Sequence, residues 1–284
     1  MTAMIPYRWP DGKRCAAVLS VDFDGETPYL WNNRNQPSKA LGELEQRRFG
    51  PRQGIHRILD LLADQNLHAT FYIPGAIAER YPEAVTRIAA EGHEIGLHGY
   101  LHERVDQITK GEIEETTARA MEALQRVSRQ TPVGYRSPSW EMTPETLTVI
   151  ESIGLSYDSS LMGYDHPYWV GNLVEVPVQW LLDDAPYYRY VGRGDTRPPA
   201  YPTDVIRSWR LELEGAKRFG SLFMLTLHPW ISGRASRLLA LEKLVADYRH
   251  DPEIEWATAA EVAAFHRRAH FSEFRESPQP MRVR

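Results

Sequence analysis

Cysteine is almost absent from the 284-residue chain: there is one, Cys15, inside an apolar run. No intrachain disulfide can form, and such a chain suits a reducing compartment. Cys15 reads as a small buried hydrophobe. Long apolar runs are missing too, so no membrane span is expected. The opening residues "MTAMIPYRWPDGKR" lack the apolar core of a signal peptide, which sets a cytoplasmic, membrane-free expectation. Lys and Arg form no stripe and the formal net charge is −5, which gives no reason to expect nucleic acid. No glycine-rich phosphate turn follows the first apolar run, against a dinucleotide-binding fold. No G-x-S-x-G elbow occurs, against a Ser-His-Asp hydrolase. There is no internal repeat and no low-complexity linker.

What the chain does have is alternation. "AAVLSVDF", "HATFYIPG", "HEIGLHGY", "VGYRSPSW", "LSYDSS", "LVEVPVQW", "LFMLTLHP" and "EIEWATA" read as strands. Between them lie helical patterns: "GPRQGIHRILDLLADQN", "PEAVTRIAAEG", "KGEIEETTARAMEALQRVSR", "PETLTVIESIG", "TDVIRSWRLELEGAKRFG" and "RASRLLALEKLVADYRH". Thr143 and Thr203 are expected to cap two of them, and Thr258 with Glu261 forms a capping box that opens a last helix. Strand and helix alternate about seven times, which predicts βα units around a mainly parallel sheet. One large barrel fits better than an open doubly wound sheet. Active sites of such barrels lie at the carboxyl ends of the strands.

Titratable groups gather at those ends. The first strand closes on Asp22, Asp24 and Glu26, and alternation puts Asp22 and Asp24 on one face. Neighbouring carboxylates repel unless a cation or shared proton relieves them. The third strand ends in "HGYLHE", where His98 and His102 have the spacing of paired metal ligands. Two imidazoles and one carboxylate leave coordination positions open, a catalytic rather than structural shell. Asp24 is taken as the third ligand, which frees Asp22 to act as a base. His228 ends the apolar strand "LFMLTLHP" and is taken as general acid. Arg136 is expected to hold Asp22 ionised and oriented. Glu26, Ser137, Trp140, Asp158 and Trp180 are expected to meet substrate, with a backbone N–H near Arg136 and Ser137 facing the oxyanion. Asp158 reads almost equally well as a turn cap. The aromatic residues Trp140, Trp180, Tyr164 and Trp230 read either as pocket walls or as core. His93 reads as structural, and His166, His266 and His270 as having no cluster around them.

In this order the motifs "SVDFDGE", "HGYLHE", "GYRSPSW", "YDSS" and "LTLHP" resemble those of the polysaccharide deacetylase superfamily, the NodB-homology carbohydrate esterases. The resemblance runs from about residue 16 to about residue 265, with peripheral ends to a single domain, 1–284. It implies a distorted (β/α)7 barrel and a divalent metal, usually zinc, on Asp24, His98 and His102. It also implies Asp22 as base, His228 as acid and Arg136 as the partner of the base. Phe23 separates aspartates that are usually adjacent in the first motif, and the fourth motif is only partly matched. "DFDGE" with "HGYLHE" looks most like a cytosolic branch of peptidoglycan deacetylase-like proteins, cyclic imide hydrolases and metal-independent allantoinases. Members of that branch often form homo-oligomers, so a dimer or tetramer is expected. Asp24 argues against the metal-independent allantoinases, and Arg136 leans toward the deacetylases.

The expected activity is hydrolysis of a non-peptide C–N amide bond, foremost removal of an N-acetyl group from a sugar. The alternative is opening of a small cyclic imide or amide. An inactive carbohydrate-binding protein would show a broken catalytic set, and here base, ligands and acid are all present.

Overall fold

The computed structural model describes residues 7–36, 39, 41–192, 195–271 and 275–276. Its centre is β1 (Cys15–Asp22), eight residues buried on both faces. A strand covered on both sides has no use for polar alternation, which is why "CAAVLSV" is nearly all apolar. Following it are β2 (Thr70–Ile73), β3 (Glu94–Leu97), β4 (Gly134–Tyr135) and β5 (Tyr157–Asp158). The rest are β6 (Tyr168–Val170), β7 (Leu173–Glu175), β8 (Leu222–Leu227), β9 (Ile254–Trp256) and β10 (Arg275–Glu276). Together they form one curled sheet in the order β10-β6-β7-β5-β4-β3-β2-β1-β8, with β9 also on β1.

β8 runs beside β1 along most of its length, while β9 and β2 pair with its first and last thirds. Every ladder is parallel except β6–β7. The parallel register brings the carboxyl ends of β1, β3, β4, β5 and β8 to one rim. Sheet closure into a barrel is incomplete. Among the described residues, β8 and the chain beyond β7 share one isolated parallel bridge, Asp183 to Thr226. It is reinforced by Asp184 N–H donating to Thr226 O at 3.1 Å, and by Leu222 N–H to Asp165 O at 2.7 Å at the far end.

Helices cover the outside. Capping decides several of their starts: Thr143 accepts from Thr146 N–H, and Thr258 with Glu261 forms the expected reciprocal box. Thr109 with Glu112 forms a second box. The helix Pro202–Phe219 differs from expectation: it starts one residue before Thr203, with Tyr201 ahead of it and no side-chain cap. Pro202 supplies the start instead, since its missing N–H costs nothing in the first turn.

Short elements escaped the periodicity reading. Strand β6 is three residues long, and the helices Thr27–Asn32 and Gly42–Phe49 fall in the link after β1. The expected strand "VGYRSPSW" is only Gly134–Tyr135 before the chain turns. His166, His266 and His270 also correct the sequence reading, for they cluster around Tyr7. The Tyr7 ring lies 5.0 Å from His166 and 4.5 Å from His270, stacked on both.

Candidate active site

The carboxyl rim opens into a cavity of about 490 Å³ whose walls include Asp22, Asp24, His98, His102 and His228. Asp22 is the last residue of β1 and meets Arg136, just past β4. Arg136 Nη1 donates to Asp22 Oδ1 at 2.8 Å. The guanidinium is fully buried and immobilised from every side. Nη1 also reaches Ser20 Oγ, Nε donates to Ser159 O, and Nη2 donates to Ser159 Oγ. Burial works against the charge, but Asp22 more than restores it and raises the pKa of Arg136.

Asp24, His98 and His102 offer donor atoms that all lie within 4.8 Å of one another. His98 directs Nδ1 at Arg136 O, 2.7 Å away, which turns Nε2 toward Asp24 Oδ1 at 3.3 Å. His102 Nε2 stands 3.8 Å from Asp24 Oδ2. The loop between the histidines is tied by Glu103, whose carboxylate accepts from Tyr100 and Leu101 N–H at 2.9 and 2.8 Å. Gly99 permits this turn: its φ is +68°, and a Cβ there would lie 2.8 Å from Glu103 Oε2. His102 itself has φ +61°, and Ser139 and Trp140 on the cavity wall have +61° and +56°. Backbone strain held in non-glycine residues concentrates where a site requires it.

Burial alone would lift the Asp24 carboxyl, yet His102, His98 and His228 hold it below the ordinary carboxylate range. Burial pushes His102 down to about 4 against the pull of Asp24. His98 moves the other way: Asp24 and Asp22 outweigh its burial. Asp24 Oδ1 is sealed from solvent and accepts no hydrogen bond. A buried carboxylate oxygen left unmatched beside two ring nitrogens is the donor set of a divalent cation, and the residues fit one.

His228 follows β8. Its Nδ1 lies 2.7 Å from Asp184 Oδ1, and its backbone N–H donates to Asp184 Oδ2 at 2.8 Å. Ser232 Oγ donates to the same carboxylate. With Nδ1–H committed to Asp184, Nε2 faces the cavity, 3.7 Å from Asp24 Oδ2. Burial opposes the imidazolium, but Asp184, Asp183 and Asp24 raise its pKa well above the ordinary histidine value. Burial pushes the neighbouring Asp183 up to about 7. Asp183, Asp184 and His228 also form a compact donor group. There the Asp184 oxygens are spent on hydrogen bonds, so that group is an anchored ion pair.

The structure therefore gathers Asp22, Asp24, Arg136, His98, His102 and His228. Trp140 and Trp180 join them on the wall, stacked at 4.6 Å. Three expected contacts lie elsewhere. Glu26 turns outward and is fully buried under Tyr81 Oη, 2.9 Å away, and Arg80 Nε, 2.8 Å away. Asp158 is buried behind the rim and accepts from Ser160 Oγ. Ser137 is buried, and its N–H donates to Ser160 Oγ at 2.8 Å. Arg136 N–H is committed to Leu97 O at 2.9 Å, so neither backbone donor is free for an oxyanion. The sequence reading missed Asp184, Arg47 and Arg189. The adjacent acids of "LLDDAP" were the one available signal for the first.

The family model for polysaccharide deacetylase matches residues 49–157. A solved Mycobacterium smegmatis protein classed with the polysaccharide deacetylases is 37% identical, with a TM-score of 0.91 over 97% of this chain and 98% of its own. The peptidoglycan deacetylase of Helicobacter pylori is 27% identical over 88% of this chain and 96% of its own. A solved allantoinase, 19% identical over 92% of this chain and 93% of its own, shares the fold with a TM-score of 0.81. Fold and site together define a barrel hydrolase of carbon–nitrogen bonds. The chain belongs to the polysaccharide deacetylase family.

Proposed function

We propose that the protein is a divalent-metal-dependent N-deacetylase acting through Asp22 as base and His228 as acid. The observation that supports it is the flanking of the Asp24–His98–His102 donor set by two differently anchored groups. Asp22 is held by a buried guanidinium, and His228 by a buried carboxylate. A cation on Asp24, His98 and His102, zinc by family resemblance, supplies Lewis acidity toward water and the substrate carbonyl. Arg136 holds Asp22 in place and aims it at the attacking water, from which it takes a proton. The Asp184 carboxylate fixes the His228 ring and sustains its charge, so Nε2–H is delivered to the departing nitrogen. Trp140 and Trp180 offer a face for a sugar ring.

The names of the relatives favour an N-acetylated sugar as substrate. A cytoplasmic setting is supported by the single cysteine, and a homo-oligomer by the resemblance to the cytosolic branch. Among the described residues no helix is long and apolar enough to cross a membrane. The deciding experiment compares an N-acetylglucosamine oligomer with succinimide and hydantoin, with and without zinc. Zinc-dependent acetate release supports the reading. Ring opening of the imides without acetate release replaces it with a cyclic amidase.

A further inference from the structure

The cavity holds a basic side chain that the deacetylation scheme leaves unused. Arg47, on the helix Gly42–Phe49, lines the cavity with the catalytic groups and is only 5% exposed. Its Nε donates to Glu43 Oε1 at 2.9 Å, and the guanidinium lies over the Trp230 ring at 4.9 Å. Nη1 and Nη2 find no acceptor among the described residues. Neither atom is sealed from solvent, so the donor edge of this largely buried guanidinium opens on the cavity.

A second guanidinium stands near it. Arg189 follows the helix Ala185–Tyr188, lines the same cavity, and has its nearest carboxylate, Asp195, 3.8 Å away. The two segments are tied together by Gln46 Nε2 donating to Tyr190 O at 2.7 Å. Burial lowers the pKa of Arg47, and repulsion from Arg189 adds to the drop, partly offset by Glu43 and Asp24. Arg189 also lines an adjoining cavity of about 670 Å³, so there is room beyond the reacting group.

We propose that Arg47 and Arg189 form a subsite for a carboxylate carried by the substrate, beside the amide that is cleaved. Two adjacent guanidinium forks with unused N–H groups are suited to a planar anion. Glu43 and Asp195 already balance part of the positive charge, which fits a singly charged carboxylate better than a doubly charged phosphate. The substrate class is then an N-acylated ring compound bearing an acid group. Only the word N-acylated rests on the deacetylase reading.

The test uses the full chain and two probes, N-acetylmuramic acid and N-acetylglucosamine, of which only the first carries a carboxylate. Binding is measured by calorimetry, metal-free and zinc-loaded. The acid should bind about tenfold or more tightly than the neutral sugar in both states, the worth of one charge-assisted contact. R189Q and R47Q should each bring that ratio close to one. R189Q keeps the test sound if R47Q disturbs folding, because Arg189 is half exposed. Equal binding of the two sugars, a preference seen only with zinc, or a preference that survives both substitutions overturns the proposal. Acetate release in the zinc-loaded samples separates the two claims. A preference without acetate release leaves the subsite standing and fails the deacetylase. Acetate release with a ratio near one does the reverse.

Discussion

Two groups of acids sit at the carboxyl ends of strands on opposite sides of the same sheet, and the protein neutralises them differently. At the end of β1, Asp22 is met by the Arg136 guanidinium, and Asp24 by the imidazoles of His98 and His102. At the ends of β5 and β7, Asp158 and Glu175 are direct cross-strand neighbours. Among the described residues neither forms an ion pair, and Arg136 acts on Asp158 only from a distance. Glu175 Oε1 accepts from Ser160 and Leu161 N–H, while Asp158 Oδ2 and Glu175 Oε2 are sealed with no hydrogen-bond partner. A shared proton relieves that pair. Burial raises both carboxyls, and Asp158 raises Glu175 further. The first group faces a cavity and has cationic partners beside it. The second props the loop below Ser137 and, being buried, holds its protons more tightly than free carboxyls do. Cationic partners keep an acid ready for chemistry, whereas a shared proton makes it a buried strut.

Breaking the charged group should be the more damaging by far. Asp24→Ala should abolish stoichiometric zinc binding by metal analysis and turnover with it; normal zinc content would remove Asp24 from the ligand set. Asp22→Asn should keep the metal but lower kcat by about 10²–10⁴. Next comes Asp184→Asn, which leaves His228 unanchored. Its kcat should fall by about 10–100-fold. The alkaline limb of its pH–rate profile should also move to lower pH, because Asp184 no longer supports the imidazolium. An unmoved limb would show that His228 is charged by other means.

The proton-sharing pair should show itself in stability instead. Folded Asp158 and Glu175 hold protons that the unfolded chain releases above about pH 4.3. Their contribution is therefore complete below that pH and declines as pH rises. Glu175→Gln removes one titrating group while keeping its shape, so the fall in Tm between about pH 5 and pH 9 should be shallower than in the wild type. Parallel profiles would remove the shared proton from the comparison. The smallest catalytic effect belongs to Glu26→Gln. It should cost about 1–3 kcal/mol of stability in urea, because Tyr81 and Arg80 lose a charged partner, with kcat unchanged.

The difference between the two groups also marks how far sequence reasoning reaches. Alternation along β1 placed Asp22 and Asp24 together, and the spacing of His98 and His102 brought their rings to 5.0 Å. His228 was legible because a polar residue closes an apolar strand. These are short-range signals that backbone geometry converts directly into proximity. Asp158 was misplaced because a strand-end position fixes height along the barrel, not the face on which the side chain emerges. Glu26 lay too far past the end of β1 for alternation to apply, since the chain has already turned into the helix Thr27–Asn32. Asp184 reaches a histidine 44 residues onward, and no periodicity links the two. Arg47 lies on a helix whose charged composition looks like a solvent face, and only tertiary folding puts it under cover.

The unfinished barrel carries a last consequence. The Asp183–Thr226 bridge and a few hydrogen bonds span the gap beside β8, and the residue after Asp183 carries the carboxylate that steadies His228. A local slip there would free the imidazole from its anchor while the long β1–β8 ladder stayed zipped. Gentle heating should thus switch off turnover several degrees before the secondary structure melts, and cooling should restore it.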